Sequence, residues 1–212
     1  MSFILASILI IVAVPFLLLF GFYQLISSGF EKLGLAPEAV LVVLVFMLIG
    51  SRINIPLGRR RVVEVKESRF FGLVRAKQLQ AQGLSINLGG AIIPLLLVLY
   101  LLPRVPLQET LLASALMIII SFTLARFIPG KGIAIPVLLP ALFATIFALV
   151  LAYEQAAPVA FIAGVLGVLV GGDVLHLPRV LRDGQGVMSI GGAGVFDGIF
   201  LVAIVATFLA GL

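Results

Sequence analysis

Two aspartates stand in stretches built mostly from apolar residues and glycine, and chemistry is most readily placed there. Asp173 lies in GVLVGGDVLHLPRVL and Asp197 in SIGGAGVFDGIFLVAIVA. An ionisable group inside an apolar span costs ~2.5–3.5 kcal/mol even on the lenient scale for insertion into lipid, and by default it marks a functional site. Two carboxylates a few ångströms apart resist joint ionisation, so one holds its proton while the other gives it up. That is the electrostatic basis of an aspartyl dyad, in which one group acts as general base and the other as general acid on water and peptide. It is equally the basis of a proton carrier. Asp173 and Asp197 are therefore the candidate catalytic residues. His176, the only histidine, follows Asp173 by one helical turn and shares its face. It reads as an interfacial hydrogen-bond partner sooner than as a ligand. Asp173, His176 and Asp197 together would offer mostly oxygen donors, suited to a hard cation, but no metal site is assigned and no cofactor is expected.

Two further stretches resemble each other. RINIPL at 52–57 and INLGGAIIPL at 86–95 each set an asparagine shortly before a proline. Proline frees a backbone carbonyl and asparagine can hydrogen-bond such groups; broken helices of this kind bind ions in transporters. Ordinary helix-end chemistry is the plainer account. Asn54, Asn87 and His176 are read as a polar vestibule, with Ser85, Ser121, Thr123 and Arg126 at a similar depth.

The elements that must position these residues follow from composition. Of 212 residues, 62% are hydrophobic and 11% charged, whereas soluble domains run nearer 45–50% and about a quarter. A soluble fold of this size cannot hide that excess, but lipid as solvent removes the conflict. Seven apolar segments are long enough to cross a bilayer: roughly 3–27, 37–57, 84–102, 110–128, 133–153, 158–177 and 190–211. The break at 154–158 is the shortest; without a turn there the count would be six. The first segment lacks a basic n-region and runs past Pro15, so it reads as a helix and not as a cleaved signal. The fold expected is all-α, a polytopic transmembrane bundle forming a single domain over 1–212.

Charge orients it. Seven of the fourteen Lys and Arg lie between Arg59 and Lys77, in the second loop. Arg126, Lys131, Arg179 and Arg182 mark the fourth and sixth loops, while the odd loops hold only Lys32 and Arg104. The positive-inside rule then puts the N-terminus in the cytoplasm and the C-terminus outside. The basic loop at 58–83 is expected to lie on the cytoplasmic face, strand-like in its first half and able to form a short amphipathic helix in its second. Its Arg59, Arg60, Arg61, Arg69, Arg75 and Lys77 are suited to anionic headgroups, or to an acidic partner. The bilayer itself is the main partner expected; a homo-oligomer is compatible with the sequence, and nucleic acid is not expected. The absence of cysteine excludes disulfides and thiolate chemistry. Without tryptophan, Tyr23, Tyr100, Tyr153 and the phenylalanines must supply the interfacial aromatics. Glycines at 164, 167, 171 and 172 and at 191, 192, 194 and 198 would let the sixth and seventh segments approach closely.

The segments INLGGAIIP (86–94), GGDVLHL (171–177) and SIGGAGVFDGIFL (189–201) resemble the prokaryotic integral-membrane family catalogued as domain of unknown function 1614. The likeness spans most of the chain and implies a place in the prokaryotic inner membrane, with no activity attached. Presenilin-like and prepilin-peptidase-like aspartyl proteases are similar in geometry, with two aspartates on separate helices near the cytoplasmic side. One of theirs sits in Gly-x-Gly-Asp; here Val195 and Phe196 follow Gly194, so Asp197 arrives two residues late. Their Tyr-Asp pair is absent, since Gly172 precedes Asp173, and Pro140-Ala141-Leu142 precedes the aspartates instead of following them. Three functions fit these residues: an intramembrane aspartyl protease, a small proton- or cation-coupled transporter, and a non-catalytic membrane subunit docking a partner through its basic loop.

Overall fold

The computed structural model describes residues 2–58, 61–69, 74–128, 132–136, 138–183 and 187–210. The chain is mostly helical, and a helix occupies each of the seven apolar segments. In order the helices are α1 (Ser2–Glu31), α2 (Pro37–Gly50), α3 (Ile93–Leu101), α4 (Leu107–Leu124), α5 (Leu138–Leu151), α6 (Ala156–Leu166), a short α7 (Leu177–Asp183) that follows the sixth segment, and α8 (Ala193–Ala210). Local sequence sets their ends. Pro37 opens α2 with Glu38 in its first turn, where a missing N–H is harmless and a negative charge meets the helix dipole. Gly34, at φ +75°, closes the turn after α1. The break between α5 and α6 is a 3₁₀ turn, Tyr153–Gln155.

The expectation of an all-helical chain needs correction at one end of the bundle. Among the described residues six strands occur: β1 (Asn54–Pro56), β2 (Arg61–Arg69), β3 (Val74–Asn87), β4 (Arg126–Ile128), β5 (Gly132–Ala134) and β6 (Val187–Ile190). They replace the ends assigned to several apolar segments, so that α2 stops at Gly50 and α4 at Leu124. The physical reason is long-range pairing. The last residues of β3 run antiparallel to β1, with Asn54 opposite Asn87, and parallel to β6, with Ile86 opposite Ile190. Backbone groups beyond the helix ends thereby find partners that a longer helix would otherwise supply. The second half of the basic loop is likewise not a helix. Residues 74–82 of β3 pair antiparallel with β2 from Arg69↔Val74 to Arg61↔Gln82, and this ladder overrides the helix propensity of Ala, Lys, Leu and Gln there. Arg59 and Arg60 lie outside the described residues, as do the side chains of Arg61, Arg69, Arg75 and Lys77.

Two packed clusters fill the bundle. The larger joins α1, α2, α3, α6 and α8 around Phe30, Val40, Phe161, Val165 and Ile199, with Phe30 edge-on to Phe161 at 6.1 Å. The smaller lies between α4, α5, α6 and α8 and is dominated by alanine, including Ala113, Ala144, Ala160 and Ala206. Such small side chains let helices pack closely. The glycines of the sixth segment divide their contacts. A Cβ on Gly164 would meet Val202 of α8, but Gly167 lies against Met117 and Gly171 against the backbone of Ile118 and Phe122. The close approach they permit is therefore largely to α4 and only in part to α8.

Outward faces are apolar on every helix from α1 to α5, as at Leu17, Phe46, Leu99, Leu111 and Val150. Among the described residues two helical stretches, Leu107–Leu124 and Tyr153–Arg182, are long and apolar enough to cross a membrane.

Candidate functional site

The strands collect the polar residues at one end. Asn87, wholly buried, is the last residue of β3 and caps the π-helical turn Leu88–Ile92 that leads into α3, its Oδ1 accepting from the Gly90 N–H at 2.7 Å. Its Nδ2 donates to Ser51 O at 2.6 Å and to Asn54 Oδ1 at 3.0 Å. Asn54 Oδ1 also accepts from the Ser189 hydroxyl, at 2.5 Å. The two asparagines singled out in the sequence thus meet directly, on adjacent strands. Ser85, also buried, donates to Met188 O at 3.1 Å and ties β6 to β3 a second time. Gly89 sits directly against the Met47 carbonyl and Gly50, where no side chain would fit, so the end of α2 rests on this turn.

Asp173 approaches from the other side. The helix begun by α6 loosens into a π-helical stretch, Gly167–Asp173, then tightens into a 3₁₀ turn, Val174–His176, before α7. Interruptions of this kind recur at functional sites. Asp173 is fully buried, and its Oδ2 accepts from the Gly191 N–H at 2.7 Å. Its Oδ1 has no hydrogen-bond partner among the described residues. A buried, unpaired carboxylate oxygen is costly when ionised, and a proton or a mobile donor relieves that cost. Gly191 has φ +67°, and a Cβ there would come within 2.7 Å of Gly90 C, so the residue that holds Asp173 also packs on the Asn87-capped turn.

His176 and Asp173 take different partners despite their spacing. The Nδ1 of His176 lies 3.1 Å from Gly171 O, which can only accept, so Nδ1 carries a hydrogen. The ring rests on Phe122 of α4 at 4.7 Å. His176 is placed as a hydrogen-bonded packing residue against α4. The backbone of Asp197 lies in α8, four residues past its first; its side chain is outside the described residues. Among the described residues no three His, Asp or Glu side chains gather as metal ligands would.

Sequence reasoning passed over Ser189 and the Gly191 amide. The available signal was Ser-Ile-Gly-Gly at 189–192, a turn sequence just before a helix. Ser121 of α4 is a second buried group whose hydroxyl lacks a partner among the described residues. The opposite end of the bundle carries two cavities, of about 430 and 260 Å³, on either side of Tyr153–Gln155. Lys32 and Ala210 line the first and Pro106 and Glu109 the second.

The architecture is thus a helical bundle with a polar, strand-capped end built around the buried Asp173 carboxylate. The chain belongs to the family described as protein of unknown function (DUF1614), whose family model matches residues 48–209. That span contains Asn54, Asn87, Asp173, His176, Ser189 and Asp197 and leaves out α1 and most of α2. No curated protein and no solved structure matches the chain.

Proposed function

We propose that this chain is a multi-pass protein of the prokaryotic inner membrane, with seven spans and a cytoplasmic N-terminus. In this reading it is a small proton- or cation-coupled transporter, and its working group is the Asp173 carboxylate with Asp197 as partner. Support for crossing the bilayer comes from α4. Only 28% of its apolar window is buried within the protein, although a soluble protein's core helix is mostly buried. The shorter helix Glu38–Gly50 runs on into β1, and Leu138–Leu151 follows β5, so irregular backbone flanks both, as is tolerated in membranes where it is buried in protein.

One observation carries the transport reading: Asp173 is buried at a break in its helix, with one oxygen on a single backbone donor and the other without a hydrogen-bond partner among the described residues. Intramembrane carboxylates at discontinuous helices serve as proton and cation sites in transporters. Asn54, Asn87 and Ser189 form the polar mouth above it. The test is proton flux into proteoliposomes under an imposed membrane potential, followed by an entrapped pH dye with and without Na⁺ or K⁺. Wild type is expected to conduct and Asp173→Asn to fall to the level of empty vesicles. Equal flux from both would refute the reading.

A second reading keeps the aspartyl dyad. The backbone sets Asp197 about one turn, ~6 Å, beyond the first residue of α8, and Gly191, the anchor of Asp173, lies just before that helix. Cleavage of a membrane-spanning peptide by wild type, lost in both Asp173→Asn and Asp197→Asn, would favour hydrolysis over transport.

A further inference from the structure

The turn that joins β6 to α8 has a feature that the transport reading leaves unused. Gly192 N–H donates to Ser189 O at 3.0 Å, closing a four-residue turn, Ser189–Gly192, in which Gly191 is the third residue at φ +67°. A positive φ at that position is the mark of a type II turn; in a type I turn the same residue sits near about −90°, and the two forms differ by a flip of the central peptide. Here the central peptide is Ile190–Gly191, and its N–H is the group that donates to Asp173 Oδ2. Flipping it would turn the donor away from the carboxylate and leave the chain on either side in place. Glycine is the residue for which both forms are accessible.

The first residue of that turn is anchored independently. Ser189 Oγ donates to Asn54 Oδ1 at 2.5 Å, and the same oxygen receives Asn87 Nδ2 at 3.0 Å. Asn54 is exposed, Ser189 half-buried and Asp173 fully buried, so this chain of contacts runs from the protein surface to the carboxylate. We propose that Ser189 and Asn54 are positioning residues for Asp173: they hold the Ser189–Gly192 turn in the form whose Gly191 amide caps the carboxylate, and a flip of the Ile190–Gly191 peptide uncaps it. Uncapping exposes both carboxylate oxygens to whatever the site exchanges. That consequence rests on the transport reading, whereas the latch itself is a structural statement.

The experiment is hydrogen exchange at the Gly191 amide, followed by solid-state NMR on isotopically labelled full-length protein in lipid bilayers, beside proton flux on the same preparations. Ser189→Ala is expected to speed Gly191 exchange about ten-fold, the factor that one ordinary hydrogen bond supports, and to leave the amides of α5 unchanged. Ser189→Thr keeps the hydroxyl and is expected to restore slow exchange. Asn54→Ala removes the same acceptor from the other side and gives the answer if Ser189→Ala does not fold. Unchanged Gly191 exchange in the folded variant overturns the latch. If Gly191 is freed by Ser189→Ala but Asp173→Asn keeps wild-type flux, the latch stands and the transport reading falls. If Asp173→Asn abolishes flux and Gly191 is indifferent to Ser189, the reading stands and the latch falls.

Discussion

Asn87 spends both ends of its amide inside the protein, two donor bonds through Nδ2 and one acceptor bond through Oδ1. Removing a buried partner leaves the other groups unsatisfied, at about 1–3 kcal/mol for each group that water cannot reach. Asn87→Ala should therefore be much less stable than Asn54→Ala, whose site is exposed and open to water. Thermal unfolding of the two variants in one detergent checks the ranking; equal losses would mean that the Asn87 network is not what holds the strand ends together. At this scale the sequence was informative where a residue type clashed with its surroundings. An amide or carboxylate within an apolar run stands out, and Asn54, Asn87 and Asp173 all lie at the polar end. Ser189 did not stand out, because serine before Ile-Gly-Gly looks like any turn. Its role depends on Asn54, 135 positions away in sequence.

Between elements, the π-helical stretch fits closely against α4. Gly171 faces the backbone of Ile118 and Phe122, which cannot move aside as a side chain could, whereas a Cβ at Gly164 would meet only Val202 Cγ1 at 3.0 Å and Ala144 Cβ at 3.7 Å. Overpacking of this kind costs about 1–3 kcal/mol. Gly171→Ala is thus expected to lower the unfolding temperature clearly and Gly164→Ala only slightly; the reverse order would contradict the assignment of Gly171 to the α4 contact. The helices were legible because twenty-residue apolar runs bounded by Pro and Gly have few other uses. The strands were not. Residues 54–56, 83–87 and 187–190 are short, and each becomes a strand only by meeting a segment far along the chain, as with Asn54 opposite Asn87 and Ile86 opposite Ile190, which no local pattern encodes. The hairpin of β2 and β3 shows the same limit, since a segment of good helix formers takes its conformation from the strand opposite.

Across the whole molecule, polar chemistry and apolar surface are separated. Asn54, Asn87, Ser189 and Asp173 gather where β1, β3 and β6 meet, while Tyr153, Glu154 and Lys32 surround the cavity at the far end. The basic hairpin adjoins the first group, so in the proposed reading the positive-inside rule turns that end to the cytoplasm. This separation is what we propose the bilayer enforces, and the chain offers a clean way to test it because it contains no cysteine. Ile55 on β1 is 41% exposed and Tyr153 is 79% exposed, so Ile55→Cys and Tyr153→Cys each provide a single reporter at opposite ends. The decisive measurement is labelling of each variant by a membrane-impermeant maleimide, applied in turn to intact spheroplasts and to inside-out vesicles. The account predicts that Cys at 55 reacts only from the cytoplasmic side and Cys at 153 only from the outside. Labelling of both from the same side would contradict a bundle that spans the membrane with its polar end inward.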